Sequence, residues 1–133
     1  MTRTTDKTPP RPTDAELTLL RVFWQRGPST VRQIQQELGD DAAVAGASVL
    51  KLLQIMTGKG LLDRDASSRA HVYRARHSEQ STQDQLTNDL VDRAFEGSAA
   101  RLALRALSAR RCTPEELAEV QRMVADLADD DGD

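Results

Sequence analysis

The sequence has 133 residues and a net charge of −3, a length that fits one domain, or one domain with a dimerisation extension. It lacks an apolar run near the roughly 18 residues of a membrane span and an apolar signal-peptide core at its N-terminus, so we expect a cytoplasmic protein without membrane contact. Cys112 is the single cysteine, which excludes an internal disulfide and fits a reducing compartment.

The first part of the chain is predicted to hold a disordered arm and two helices. The arm, residues 1–12, is rich in threonine and proline and has no periodic apolar pattern. Thr13–Glu16 has the capping-box pattern, and the apolar spacing after it predicts a helix to about Arg26, where a Gly-Pro pair ends it. A second, short helix is predicted over Thr30–Leu38.

Residues 44–76 are predicted to form an amphipathic helix followed by a basic two-stranded hairpin. The helix has an apolar stripe consisting of Val49, Leu53 and Met56. Gly58 and Gly60 are expected to end it, and two β-competent runs, Leu61–Arg64 and Ala70–Ala75, flank a polar turn. This order is typical of a winged helix-turn-helix, which reads DNA with its helix and contacts phosphates with its hairpin. From this segment alone, an ordinary helix-plus-hairpin packing element remains an alternative.

Charge is distributed unequally between the two halves of the chain. Residues 1–77 hold 12 basic and 8 acidic side chains, a net of +4, whereas residues 78–133 hold 6 and 13, a net of −7. The basic half coincides with the winged helix, which favours a nucleic-acid-binding face carried on an acidic partner half. The candidate backbone-contacting cations of the hairpin are Arg69, Arg74 and Arg76.

The remainder is predicted to be helical. Helices are expected over Gln83–Phe95, after Ser98, and after a second capping box at Thr113–Glu116 with proline at the first helical position. Their apolar stripes are either buried against a second copy or folded back onto the N-terminal half, and we favour dimerisation. The candidate interface residues are Leu86, Leu90, Phe95, Leu102, Leu107, Leu117, Val120 and Val124.

The predicted fold is therefore mainly α with a small β-hairpin wing. It comprises an N-terminal winged helix-turn-helix over residues 13–77, a C-terminal helical dimerisation region over residues 78–127, and an acidic tail over residues 128–133. The sequence contains no phosphate-cradling glycine loop, no HExxH and no Gly-x-Ser-x-Gly. We therefore expect neither an enzyme nor a cofactor or metal site, and interpret His71 as a hydrogen-bonding or phosphate-facing residue of the wing.

Several segments in collinear order resemble the penicillinase-repressor family, the winged-helix repressors of β-lactam-resistance and copper-homeostasis operons. The segments are PTDAELTLLRVFWQRGPSTVRQIQQEL, GKGLLDRD, RAHVYRA, DRAFEGSAARLALRAL and TPEELAEV. The resemblance covers about residues 12–127. It implies a homodimer whose N-terminal winged helices bind a palindromic double-stranded DNA operator and whose C-terminal helices form the interface.

The resemblance also indicates which residues of the recognition helix face DNA. Where the family has a Tyr-Thr-Thr-Val-like stretch, this chain has Gly46-Ala47-Ser48-Val49. The family pattern also has a threonine and an arginine on the exposed face of the helix, where this chain has Lys51 and Ile55. Ala47 can offer a methyl contact, Ser48 a hydroxyl, and Lys51 a cation that reaches a guanine edge or a phosphate. This chain lacks the aromatic, threonine and arginine side chains of the family pattern, which implies either an operator of different sequence or a reduced affinity for DNA.

The family's input signals do not map onto this sequence. Its β-lactam-responsive members carry a scissile Asn-Phe bond where this chain has Arg105-Ala106, and one copper-responsive branch carries paired Cys-x-Cys motifs where this chain has only Cys112. An unidentified sensor or protease is therefore a candidate partner. Two hypotheses follow: a dimeric repressor, or a winged-helix protein-interaction scaffold that has lost sequence-specific DNA binding.

Overall fold

The computed structural model describes residues 11–39 and 48–131. Within these residues the chain forms six helices and three short strands. In chain order they are α1 (Asp14–Arg26), β1 (Ser29–Thr30), α2 (Val31–Leu38), α3 (Val49–Lys59), β2 (Leu62–Asp65), β3 (Val72–Ala75), α4 (Glu79–Ala94), α5 (Ala99–Ala109) and α6 (Pro114–Asp131). The predicted mainly helical fold with a small hairpin is confirmed.

Side-chain caps define where the first helices begin. The Glu16 N–H donates to Thr13 Oγ1 at 3.2 Å, while the Thr13 N–H donates back to Glu16 Oε1 at 2.8 Å. Thr30 and Gln33 form the same reciprocal pair at the start of α2, at 3.2 and 2.9 Å. Each pair satisfies two N–H groups that a helix start leaves without a partner.

The sheet has the order β1-β3-β2, and both pairings are antiparallel. The hairpin of β2 and β3 is the predicted wing, with strand bounds one or two residues from those expected. The third strand, β1, was not predicted. Its two residues pair with the wing in the register Ser29↔Tyr73 and Thr30↔Val72, so the start of α2 lies beside the N-terminal end of β3.

The end of α3 differs from the prediction at one glycine. Gly58 lies inside the helix, whereas Gly60 is the cap, with φ +87° in the left-handed region and its N–H donating to the Thr57 carbonyl at 3.1 Å. Glycine reaches that conformation without steric cost, so the chain can turn directly into the wing.

One apolar core joins the first three helices to the sheet. Leu53 and Met56, from the predicted stripe of α3, are fully buried there, and Tyr73 is the contribution of β3. The core residues are Leu19, Leu20, Phe23, Ile34, Leu38, Leu53, Met56, Leu61, Leu62 and Tyr73. Because side chains from α1, α2, α3 and the hairpin share this core, packing fixes α3 relative to the hairpin.

A salt bridge inside this unit joins α1 to the end of α3. Lys59 Nζ donates to Glu16 Oε1 at 2.7 Å and to Oε2 at 3.0 Å, and the Glu16 side chain is 4% exposed. Burial raises the pKa of Glu16, but the hydrogen bonds from Lys59 and Thr13 outweigh it, and the pKa lies below its ordinary value. The carboxylate is therefore ionised at neutral pH.

Backbone contacts divide the chain into two units, one extending to Asp89 and the other covering Leu90–Asp133. The division falls inside α4, and the boundary at residue 77 between winged helix and dimerisation region stays a prediction from the sequence. Thr82, in the first turns of α4, is 2% exposed, and the backbone contacts of these turns are with the N-terminal unit. The first turns of α4 thus belong to the N-terminal unit.

The second unit consists of the end of α4 together with α5 and α6. Glu96 and Gly97 interrupt the helices with φ of 52° and 82°, as the sequence indicated, and the Ser98 side chain caps α5. α6 continues through Asp131 into residues that the sequence assigned to an acidic tail. No helix among the described residues is long and apolar enough to cross a membrane.

Candidate nucleic-acid interface

α3, the helix predicted to read DNA, begins after Ser48, whose side chain has a structural role. The Lys51 N–H donates to Ser48 Oγ at 3.2 Å, which makes Ser48 the N-cap. A serine hydroxyl that accepts one hydrogen bond can still donate another, so the cap does not remove Ser48 from contact with DNA. Two residues that sequence reasoning considered, Gly46 and the predicted contact Ala47, lie outside the described residues.

One face of α3 remains exposed opposite its buried stripe. The predicted contact Lys51 is exposed on the first turn, and Gln54 and Ile55, three and four residues further on, are exposed on the same face. Leu50 and Ile55 are each 44% exposed. Sequence reasoning did not select Gln54 or Leu50, although the i, i+3 spacing of Lys51 and Gln54 was a readable signal.

The turn of the wing is shaped by its own polar side chains. The Ser67 N–H donates to Asp65 Oδ1 at 2.9 Å, and Ser68 Oγ donates to the Ala70 carbonyl at 3.1 Å. Hydrogen bonds from Ser67 hold the pKa of Asp65 below its ordinary value, and the charge of Arg74 lowers it further. Asp65 is therefore a carboxylate at neutral pH, and it partly offsets the positive charge of Arg74.

The predicted contact Arg69 lies in a basic groove between the wing and the helices. Its lining combines the wing, the start of α2 and the first turn of α3, and consists of Thr30, Val31, Arg32, Leu50, Arg69, Ala70, His71 and Tyr73. We call this the basic groove. Sequence reasoning missed Arg32, because only the pairing of β1 with β3 brings α2 beside the wing.

The predicted contacts Arg74 and Arg76 do not line the basic groove that contains Arg69. They line a second groove with Phe23, Trp24, Gly27, Pro28, Ala75, His77 and Ser78. Arg76 is already paired, since its Nη2 and Nε lie 2.7 and 2.9 Å from Asp63 Oδ1. Of the predicted cations, Arg69 therefore lines the basic groove, Arg74 and Arg76 line the second groove, and Lys51 lines neither of the two.

The residues predicted for dimerisation have unequal exposure in the single chain. Leu90, Leu107, Leu117 and Val124 are exposed by 46, 39, 43 and 59%. Leu86, Phe95, Leu102 and Val120 are half-buried. The prediction left out three further large apolar side chains that are also exposed, namely Leu104, Met123 and Leu127 at 68, 65 and 58%. α5 contains no buried residue at all.

Titratable side chains do not gather into a metal centre in the described part of the chain: no group of three or more His, Cys, Asp or Glu is placed to hold an ion. Cys112 is half-buried and unbridged.

Comparison with sequence models of protein families gives a match that spans most of the chain. A sequence model of the family described as penicillinase repressor matches residues 12–126. A search of curated proteins found no match.

Two solved structures are similar to this chain at low identity. The solution structure of monomeric Bacillus licheniformis BlaI in complex with the blaP half-operator is 23% identical, covers 56% of this chain and 90% of its own, and has a TM-score of 0.47. The crystal structure of the transcriptional regulator Tm0710 from Thermotoga maritima is 17% identical, covers 87% and 73%, and has a TM-score of 0.46. The family match, which extends from the first residues before α1 well into α6, shows that the chain belongs to the penicillinase repressor family of DNA-binding transcriptional repressors.

Proposed function

We propose that the chain acts in the cytoplasm as a homodimeric repressor that binds a palindromic operator, one winged helix on each half-site. The observation that carries the proposal is the exposed face of α3 beside the basic groove of the wing, in a chain of this family. A helix of this kind fits the major groove, and a basic wing beside it reaches the sugar-phosphate backbone.

Base recognition is assigned to the exposed face of α3. Lys51 can donate to a guanine edge, Gln54 can form two hydrogen bonds with adenine, and Ile55 can contact a thymine methyl group. Ser48, and Ala47 just before it, are proposed to contact DNA at the start of the helix. This face presents fewer hydroxyl groups than the Thr-rich stretch implied by the family resemblance, so we expect an operator of different sequence.

Backbone contact is assigned first to Arg69. We retain Arg74 and Arg76 as proposed contacts of the wing's second strand, with a smaller effect, because Asp65 and Asp63 already offset their charges. A cation that is already paired in the unbound protein neutralises phosphate less fully and releases fewer counterions from DNA, so replacing it should change the salt dependence less.

Dimerisation is assigned to α5 and α6 with the end of α4. Their apolar side chains are largely exposed in the single chain, and burying such surface recovers about 25 cal/mol per Å². A second copy would cover the same patch on both protomers, as two-fold symmetry requires. Two linked winged helices then gain affinity for paired half-sites through effective concentration.

The test starts from duplexes that the protein itself selects from a random DNA pool. On the selected duplex, Lys51→Ala should cost about 1–3 kcal/mol per half-site and relax the preference at one base pair. Arg69→Ala should weaken selected and random duplexes alike and flatten the slope of log affinity against log salt by about 1 per subunit. Equal affinity of the wild type for both duplexes, unchanged by Lys51→Ala, would favour the protein-interaction scaffold instead.

Release from DNA is proposed to act through the dimer. A change that separates the two winged helices loses the effective-concentration gain without altering any DNA contact. Because Arg105-Ala106 stands at the family's scissile pair and Cys112 is the single cysteine, we propose that an unidentified sensor or protease supplies the signal in place of cleavage at that bond or copper(I) binding.

A further inference from the structure

The basic groove contains more donors than the predicted contact Arg69. Antiparallel pairing of Thr30 with Val72 means that residues following Thr30 along α2 lie beside residues preceding Val72 in the wing. Arg32 and His71 are brought together in this way, and both line the groove with Arg69. Leu50, from the exposed side of the first turn of α3, forms another part of its lining.

The electrostatics of the groove favour an anion. Its lining includes two arginines and a histidine, and none of its lining residues is acidic. Arg32 and Arg69 are both exposed, and within residues 11–39 and 48–131 neither forms a salt bridge, whereas Arg26 and Arg76 are paired with Glu37 and Asp63. The positive end of the α2 dipole adds a small contribution of the same sign.

We propose that Arg32, with Arg69 and His71, binds a phosphate of the DNA backbone that flanks the major groove occupied by α3. The proposal rests on the proposed function, and it adds a contact from α2 to those of the recognition helix and the wing. Arginine suits the site because its planar guanidinium can bind two phosphate oxygens at once, and His71 can donate a ring N–H to the same group. Because Leu50 of α3 also lines the basic groove, the proposed phosphate site lies next to the part of α3 that would enter the major groove of DNA.

The first experiment measures the salt dependence of binding of the full chain to a fixed duplex of random sequence, since a phosphate contact is independent of sequence. Arg32→Ala should reduce the slope by about 0.9 for each bound subunit, which is about fivefold weaker binding at roughly 0.15 M salt. Arg32→Lys should keep most of the slope, because a lysine retains the charge. Arg21→Ala is the matched control: it removes the same charge from an exposed position of α1 that lines none of the grooves described above.

The second experiment locates the phosphate. In a duplex selected by the protein from a random pool, single phosphates are replaced by uncharged methylphosphonates, and each is combined with Arg32→Ala. At one position in each half-site the two changes should be non-additive, because either alone already removes the contact. Circular dichroism of Arg32→Ala, with Arg32→Gln as a second variant, checks that the fold is retained.

The results of these two experiments distinguish failure of the proposed phosphate site from failure of the proposed repressor function. Selective DNA binding in which Arg32→Ala behaves like Arg21→Ala, or in which no phosphate couples to Arg32, overturns this site and leaves the repressor intact. Absence of binding to any duplex overturns the proposed function and this site together. A reduced slope, rescued by lysine and coupled to one phosphate, supports both.

Discussion

Replacing Lys59 by methionine should destabilise the winged helix more than any single change of an exposed charge. The substitution keeps the length of the side chain but leaves the Glu16 carboxylate, 4% exposed, without its cation. Breaking a buried ion pair from one side costs about 3–5 kcal/mol. The Lys59 side chain is 34% exposed, so water can reach part of the site, and we expect about 2–4 kcal/mol.

Replacing the other member of the pair, Glu16→Gln, should lower the free energy of unfolding by a smaller amount. Glutamine keeps an oxygen that can accept from the Thr13 N–H, so the capping box survives and only the charge-assisted bonds to Lys59 are lost. We expect about 1–2 kcal/mol from the loss of a hydrogen bond between charged groups. The double substitution should cost less than the sum of the two single changes, because they remove the same interaction.

Acid should abolish the difference between Glu16→Gln and the wild type. The pKa of Glu16 is lowered in the folded chain, so its carboxylate stabilises the fold above the unfolded pKa of about 4.3, and this stabilisation is lost as the pH falls through the folded value. The two proteins should therefore differ at pH 7 and converge once the pH has fallen below the lowered pKa that Glu16 has in the folded chain.

The assay is urea unfolding followed by the fluorescence of Trp24, the single tryptophan, whose indole N–H donates to His77 within the same unit. Protein concentration is held constant, since dimerisation would otherwise shift the apparent stability. A loss of less than about 0.5 kcal/mol for Lys59→Met at pH 7, the range of ordinary surface substitutions, would refute the reasoning that this pair fixes the end of α3 against α1.

Three other predictions concern the glycine cap, the dimer and the inducing signal. Gly60→Ala should lower stability by about 1–2 kcal/mol, because its φ is +87° and a Cβ would lie 3.1 Å from Arg76 Nη1. The matched control Gly58→Ala, inside α3 with nothing within 4 Å of its Cβ, should be neutral or stabilising by up to about 1 kcal/mol in the same urea titration. Val124→Asp, at a side chain 59% exposed in the single chain, should yield a folded monomer in sedimentation equilibrium, and a persistent micromolar dimer would exclude this part of α6 from the interface. Stoichiometric copper(I) should leave the affinity for the selected duplex unchanged in a titration, since Cys112 offers a single thiolate, and release by copper alone would contradict this interpretation.

Sequence reasoning predicted best the features whose cause lies within a few residues. The predicted capping boxes at Thr13 and Thr113 act between residues three apart, and both were found with the expected reciprocal hydrogen bonds. The stripe of α3 follows from helical periodicity, and its central members Leu53 and Met56 are fully buried. Gly58 was misjudged because glycine only lowers helix propensity, by about 1 kcal/mol, and packing on either side of it outweighs that cost.

Features that depend on contacts between distant residues were missed. The bridge between Glu16 and Lys59 joins residues 43 apart, and nothing in either local sequence identifies the partner. The extent of α4 was also underestimated, because its first turn is polar and shows no apolar period, although Thr82 is buried. In such places the helix is stabilised by its packing and not by a pattern that can be read from the sequence.

β1 explains why the candidate DNA contacts could be predicted only in part. A strand of two residues has no detectable alternation, yet its pairing with β3 determines which basic side chains share a surface. Counting charges in the sequence gave Arg69, Arg74 and Arg76 equal weight, since all three belong to the hairpin. In the folded chain Arg69 lines one groove and Arg74 and Arg76 line another, and Arg32, which lies well before the hairpin in the sequence, lines the same groove as Arg69. A surface that binds a regular polymer such as DNA is therefore defined by the tertiary arrangement of its cations, even where each of the helices that carry them can be predicted locally.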